Sequence, residues 1–154
     1  MSNKAIKFSG KIWTFGHNID TDVIIATQYL INDLEEMKTH TFEVANSDFA
    51  QKVQPGDVII AGKNFGCGLS RQQAVDVLKA LKVGAVLAES FARIFYRNAI
   101  NLGLPLIEIQ NPFQFDKTKN ISIEISSDHI EIVNGLNHII LPPFPEFILE
   151  LLTT

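Results

Sequence analysis

Residues 58–74 read Val58-Ile59-Ile60-Ala61-Gly62-Lys63-Asn64-Phe65-Gly66-Cys67-Gly68-Leu69-Ser70-Arg71-Gln72-Gln73-Ala74. A short apolar run following the turn Pro55-Gly56-Asp57 has the pattern of a buried strand. Glycines at 62, 66 and 68 then make a loop whose backbone can approach a ligand closely. A helix is predicted to open near Ser70, with Gln73 completing a capping box. Its apolar stripe is Ala74, Val77, Leu78 and Leu81, the i, i+3, i+4 spacing of one buried face.

Strand, glycine loop and helix form the repeating unit of an α/β fold, and the flanking sequence continues it. Gly84-Ala85-Val86-Leu87-Ala88 is a second buried strand. Ser90 is placed to cap a helix from Phe91 to about Asn101, and Gly103 suits its end. Leu104-Pro105-Leu106-Ile107-Glu108-Ile109 returns as a strand, so the middle of the chain predicts parallel strands joined by helical crossovers. On the N-terminal side, Ile6-Lys7-Phe8 and Lys11-Ile12-Trp13 alternate like half-buried strands, Val23-Ile24-Ile25 is a short buried run, and Asp33 with Glu36 marks a helix start. Beyond Asn111-Pro112 the pattern changes to antiparallel hairpins. Ile121, Ile123 and Ile125 alternate, Ser127-Asp128 turns, Ile130 and Ile132 alternate, and Asn134-Gly135 is a hairpin turn. Pro145 is placed to open a last short helix. The expectation is a mixed sheet, with antiparallel hairpins near the C-terminus, in a single domain over 1–154.

A chain of 154 residues, 46% hydrophobic and 19% charged, is globular rather than disordered. A net charge of −4 without a Lys/Arg run argues against a nucleic-acid partner. No apolar run approaches the roughly 20 residues that span a bilayer, which argues against a membrane partner. Met1-Ser2-Asn3-Lys4 opens no apolar core of the length a secretory signal needs, so the cytoplasm is the expected location. Cys67 is the sole cysteine. It excludes an internal disulfide and an iron–sulphur cluster held by this chain, which takes three or four cysteines.

The loop at 62–71 carries the chemistry. A helix start offers unpaired N–H donors and partial positive charge. Arg71 in the first turn opposes the helix dipole, an arrangement that suits an anion held between them. The competing structural reading makes Arg71 a surface residue and the glycines a tight turn. Leu69 after Gly68 excludes a GxxxxGK[ST] phosphate loop, and Arg71 stands where GxGxxG needs its third glycine. The four histidines, at 17, 40, 129 and 138, lack metal-ligand spacing.

Asn64-Phe65-Gly66-Cys67-Gly68-Leu69-Ser70-Arg71-Gln72-Gln73-Ala74 resembles the NFGCGSSREHA motif of isopropylmalate dehydratase small subunits. Asn18-Ile19-Asp20-Thr21-Asp22-Val23-Ile24-Ile25 is similar to their DIDTDxII segment. Ser90-Phe91-Ala92-Arg93-Ile94-Phe95-Tyr96-Arg97-Asn98-Ala99-Ile100-Asn101, followed by Gly103-Leu104-Pro105, is similar to SFARIFYRNAINxGLP. The three stretches stand in the family's order across about residues 10 to 110. The resemblance implies the swivelling β/β/α domain of the aconitase superfamily and a reversible dehydration of a small hydroxy-dicarboxylate or tricarboxylate. It also implies a large subunit carrying a [4Fe–4S] cluster, whose open iron acts as Lewis acid on the substrate hydroxyl. By the same resemblance, the loop amides at Gly66 and Gly68, with Arg71, are expected to hold the developing negative charge. Asp22 matches an active-site aspartate; read locally, it is a turn residue bonding its own backbone.

The departures bear on mechanism. The family's proton-abstracting serine is replaced by Leu69, while Ser70 matches the second serine. Gln72 and Gln73 replace the usual glutamate and histidine, and Ala26 replaces a proline. Three readings stand side by side: Ser70 takes over as base, another group serves, or the chain is a diverged, weakly active or non-catalytic paralogue. Substrate choice in the family follows the segment Tyr29-Leu30-Ile31-Asn32. Relatives binding an additional carboxylate tend to carry arginine there, whereas Leu30 and Ile31 are apolar and suit an alkyl substituent. Smaller methylmalates and a homoaconitate-type substrate remain alternatives. Arg93, Tyr96 and Arg97 lie on the polar side of the third helix, within reach of the partner subunit or the substrate, but a structural role is the leading expectation.

Overall fold

The computed structural model describes residues 5–154; the leader reading of Met1-Ser2-Asn3-Lys4 lies outside them. In chain order the elements are β1 (Ala5–Gly10), β2 (Ile12–Thr14), α1 (Thr21–Ile24), α2 (Leu34–Met37), α3 (Phe49–Lys52) and β3 (Val58–Ala61). Next come α4 (Gln72–Ala80), β4 (Ala85–Ala88), α5 (Arg93–Asn101) and β5 (Leu106–Glu108). The chain ends with β6 (Ile121–Ser126), β7 (Ile130–Asn134), β8 (Asn137–Leu141) and α6 (Glu146–Thr153).

Parallel and antiparallel strands are both present, as the hydrophobic patterns predict, and they segregate into two sheets. One is parallel, in the order β2-β3-β4-β5; the other is antiparallel, in the order β1-β6-β7-β8. β3 and β4 are buried at every residue because each face meets a different layer. Val58, Ile60, Ala85 and Leu87 pack against Ile121, Ile123, Ile125, Ile130 and Ile132 of the antiparallel sheet. The alternate residues Ile59, Ala61, Val86 and Ala88 pack against Ala74, Val77 and Leu78 of α4 and against Phe95 and Ala99 of α5. The result is three layers: antiparallel sheet, parallel sheet, helices. No helix among the described residues is long and apolar enough to cross a membrane.

Two helix starts differ from the sequence expectation. α4 begins at Gln72 with Arg71 as an N-cap lacking a side-chain bond, so Ser70 does not cap it. α5 begins at Arg93 after Ala92, and the Ser90 hydroxyl instead accepts from the Asn64 amide at 2.8 Å. The physical reason is that the two loops pair before their helices begin: Phe65 N–H bonds the Ser90 carbonyl (3.1 Å) and Ala92 N–H the Phe65 carbonyl (2.9 Å). Asp33 does cap α2, accepting from the Glu36 amide at 2.9 Å. The run Val23-Ile24-Ile25 closes α1 and then becomes extended.

Candidate functional site

The three motif segments meet beyond the C-terminal ends of the parallel strands, the edge where open α/β sheets bind ligands. The glycine loop after β3 lies between the other two. On one side Gly66 N–H bonds the Ile19 carbonyl (2.7 Å), and Thr21 N–H bonds the Cys67 carbonyl (2.9 Å). On the other side it pairs with residues 90–92 as described. Gly66 and Gly68 have φ of +86° and +90°. A Cβ at Gly66 would sit 2.2 Å from the Phe95 ring, and one at Gly68 2.4 Å from the Asp20 carboxylate. Both positions therefore require glycine for conformation and for space.

This packing leaves the amides of Gly68, Leu69, Ser70 and Arg71 without an acceptor among the described residues. They edge a cleft of about 290 Å³ lined by Thr21, Gly66, Gly68, Ser70, Arg71 and the start of α5 from Ala92 to Phe95. Ser70 is exposed and its hydroxyl makes no hydrogen bond among the described residues. Leu69 offers its carbonyl to the Thr21 hydroxyl (2.7 Å) while its side chain stands 71% exposed.

Arg71 lines this cleft, yet its side chain is only 12% exposed and its guanidinium is already engaged. It donates to Asp22 Oδ1 (3.3 Å), the Ile25 carbonyl (3.4 Å) and Thr27 Oγ1 (2.8 Å). Three of its five N–H groups are thus used and two remain. The cation that the helix dipole disfavours is compensated within the chain by Asp22. Asp22 Oδ1 also accepts from the Thr27 hydroxyl (2.9 Å) and amide (3.0 Å). The Thr27 hydroxyl first, then its amide, then Arg71 hold the Asp22 carboxyl below its ordinary range, which keeps it ionised. Asp22 therefore bonds the local backbone and stands beside the cleft arginine at once.

Arg93, for which the sequence puts a structural role ahead of a contact with substrate or partner, is brought to the cleft. It is exposed, opens α5 and lines the same cleft. The available signal was the one used for Arg71, an arginine in a first helical turn. Leu30 and Ile31 are not brought into the cleft. Leu30 packs on the helix-side core, and Ile31 is 90% exposed after the 3₁₀ turn Thr27–Tyr29.

A second hollow of about 380 Å³ borders Asp22 and is lined by Tyr29, His40, Glu43 and Val44, among others. The His40 ring stacks on Tyr29 with centroids 3.8 Å apart. Its Nδ1 lies 2.5 Å from Glu43 and its Nε2 3.2 Å from Glu36. The Glu43 bond, more than Glu36, raises the His40 pKa. The spacing Glu36, His40, Glu43 was a legible signal for this cluster.

Cys67 is half-buried, and burial followed by the Asp20 charge raises its pKa, which favours the thiol. One protonated thiol does not fit cluster ligation, so the residues here provide no place for an iron–sulphur group.

Comparison with known proteins agrees with this geometry. The profile of the aconitase C-terminal domain matches residues 4–112. A 3-isopropylmalate dehydratase small subunit of Syntrophus aciditrophicus is 45% identical, over 96% of this chain and 91% of its own length. A methanogen homoaconitase small subunit of Methanothermobacter thermautotrophicus is also 45% identical, over 93% of this chain and 84% of its own length. The crystal structure of a 3-isopropylmalate dehydratase from Methanocaldococcus jannaschii superposes with a TM-score of 0.78 at 41% identity. That match covers 92% of this chain and 85% of the other. Shared layers, shared loops and near full-length similarity lead to one conclusion: the chain belongs to the aconitase C-terminal domain family, as a relative of the 3-isopropylmalate dehydratase small subunits.

Proposed function

We propose that this chain is the small subunit of a hydro-lyase acting on an alkyl-substituted malate, 3-isopropylmalate in the first instance, in the cytoplasm and in leucine biosynthesis. The three layers act as a single domain over 1–154. The observation that carries the reading is the cleft itself: free amides of residues 68–71 and the starts of α4 and α5, each bearing an arginine, surround an unpaired serine hydroxyl. Two cationic helix starts suit a substrate with two carboxylates. Exposed Ile94, which lines the cleft, suits an alkyl substituent.

The residues divide the work as follows. Arg71 and Arg93 bind carboxylates, with Asp22 fixing the orientation of Arg71. Ser70 Oγ, as an alkoxide held by the free amides of the loop, is the base that takes the proton from the carbon beside a carboxylate and so becomes a neutral hydroxyl. The negative charge then growing on that carboxylate is met by the amides of Gly68 and its successors. Departure of the substrate hydroxyl is left to a partner, a large subunit carrying a [4Fe–4S] cluster, because this chain has no ligand set for one. Ile31 reaches the substrate only across the assembled interface.

Anaerobic mixing with the large subunit tests this. The pair is expected to hydrate isopropylmaleate while either chain alone does nothing. If the pair hydrates neither isopropylmaleate nor smaller alkylmaleates, the reading is wrong. Ser70→Ala is expected to lower kcat by about 100-fold or more; unchanged turnover removes Ser70 from the role. Leu69, at the position the family's base occupies, favours a second reading of a non-catalytic subunit. A large gain from Leu69→Ser, starting from near-zero activity, supports that alternative. The equal identity to a homoaconitase subunit leaves substrate choice to a panel that includes homoaconitate, against which uncharged Ile31 argues.

A further inference from the structure

The antiparallel sheet turns one face to the parallel sheet and the other outward, and the outward face carries a cluster that the proposed reaction does not use. Glu124 on β6 stands directly opposite Glu131 on β7 in the strand register. His129, two residues before Glu131, points to the same side of the pleat. The ligand atoms of Glu124, His129 and Glu131 all lie within 4.8 Å of one another, and all three residues are half-buried. A fourth group arrives from β8. His138 is diagonal to Glu131, whose direct partner is Ile140, and its Nε2 lies 2.6 Å from Glu131 Oε2.

Two features indicate a cation. Like charges placed opposite each other across a strand pair are destabilising, and Lys7, opposite Glu124 on β1, makes no ion pair within 4.0 Å among the described residues. The second is a backbone that fixes the donors. The Ser126 amide bonds the His129 carbonyl (3.0 Å) and the Ser126 hydroxyl accepts from the His129 amide (3.3 Å), closing the turn that carries His129. One imidazole with two carboxylates is a mixed nitrogen–oxygen donor set, which suits a borderline divalent ion of the zinc class rather than calcium or magnesium, which take oxygen ligands.

We propose that Glu124, His129 and Glu131 form a binding site for a divalent transition-metal ion, Zn²⁺ as the reference case, on the face of the sheet away from the cleft. A bound ion ties β6 to β7 and offsets the Glu124–Glu131 repulsion.

The test is calorimetric titration of Zn²⁺ alone into the chelator-stripped full chain, with circular dichroism to verify folding. One saturable site is expected, with a higher Tm in Zn²⁺. His129→Ala and the isosteric Glu131→Gln are expected to weaken it at least about tenfold. His40→Gln, which removes a histidine paired with glutamates elsewhere, is expected to leave it unchanged. Absence of a saturable site overturns the proposal. So does a site that persists in folded His129→Ala and Glu131→Gln. Because the readout is metal binding by this chain alone, failure of the hydro-lyase reading leaves the outcome intact.

Discussion

Asp57 accepts hydrogen bonds from the Lys11 amide, Trp13 Nε1 and the Gln54 amide, each at 2.9 Å, and is itself 2% exposed. It joins the start of β3 to β2 and to the turn before it. Asp57→Ala leaves these donors without a partner and is expected to cost about 3 kcal/mol or more, read as a fall in denaturation midpoint at unchanged m-value. Gly66→Ala is expected to cost about 1–3 kcal/mol through overpacking against Phe95, with a further penalty from its positive φ. Glycine is the sequence letter whose meaning was easiest to read here, and the contact atoms explain why. Arg71 shows the opposite. Its position in a first helical turn was visible, but its commitment to Asp22 and Thr27 was not, because those residues lie 49 and 44 positions earlier in the chain, respectively.

At the scale of elements, α4 largely follows its stripe: Ala74, Val77 and Leu78 are fully buried and Leu81 partly so, while Val75, outside the expected stripe, is buried as well. Leu78→Ala is expected to cost about 2–5 kcal/mol, measurable by chemical denaturation. The segment from α2 to Glu43 depends on pH through His40. The His40 pKa is raised in the folded state, so the contribution of its pairing with Glu43 and Glu36 is complete below the ordinary histidine value of 6.5. It is lost as pH rises through the folded-state pKa. NMR titration is expected to place His40 above 6.5, and amide protection across 36–43 to decline as the ring loses its proton. His40→Gln should flatten that dependence. Helix starts were the least legible part. The Ser70 and Ser90 caps were both expected from local pattern, and both yielded to pairing between the β3 and β4 loops.

For the whole molecule, the cleft lies beyond the C-terminal ends of the parallel strands, whereas the outward face belongs to the other, antiparallel sheet. Ile94 lines the cleft and is exposed, as are Leu69 and Ile31. Docking of the large subunit is expected to slow hydrogen exchange across 66–71 and 92–95 and leave β6 to β8 unaltered. Slowing confined to β6 to β8 would place the partner on the wrong face.

What the sequence determined by itself was local: the alternation that makes β3 and β4 strands, the stripe of α4, the αL glycines and the three motif segments with their family. Each of these depends on residues near one another in the chain. Tertiary structure decided which segments meet. It put the antiparallel hairpins into a separate sheet, tied Arg71 to Asp22, brought Arg93 to the cleft and set Glu124 against Glu131. Those outcomes depend on contacts between distant segments, and such contacts form only when the layers close around a shared core.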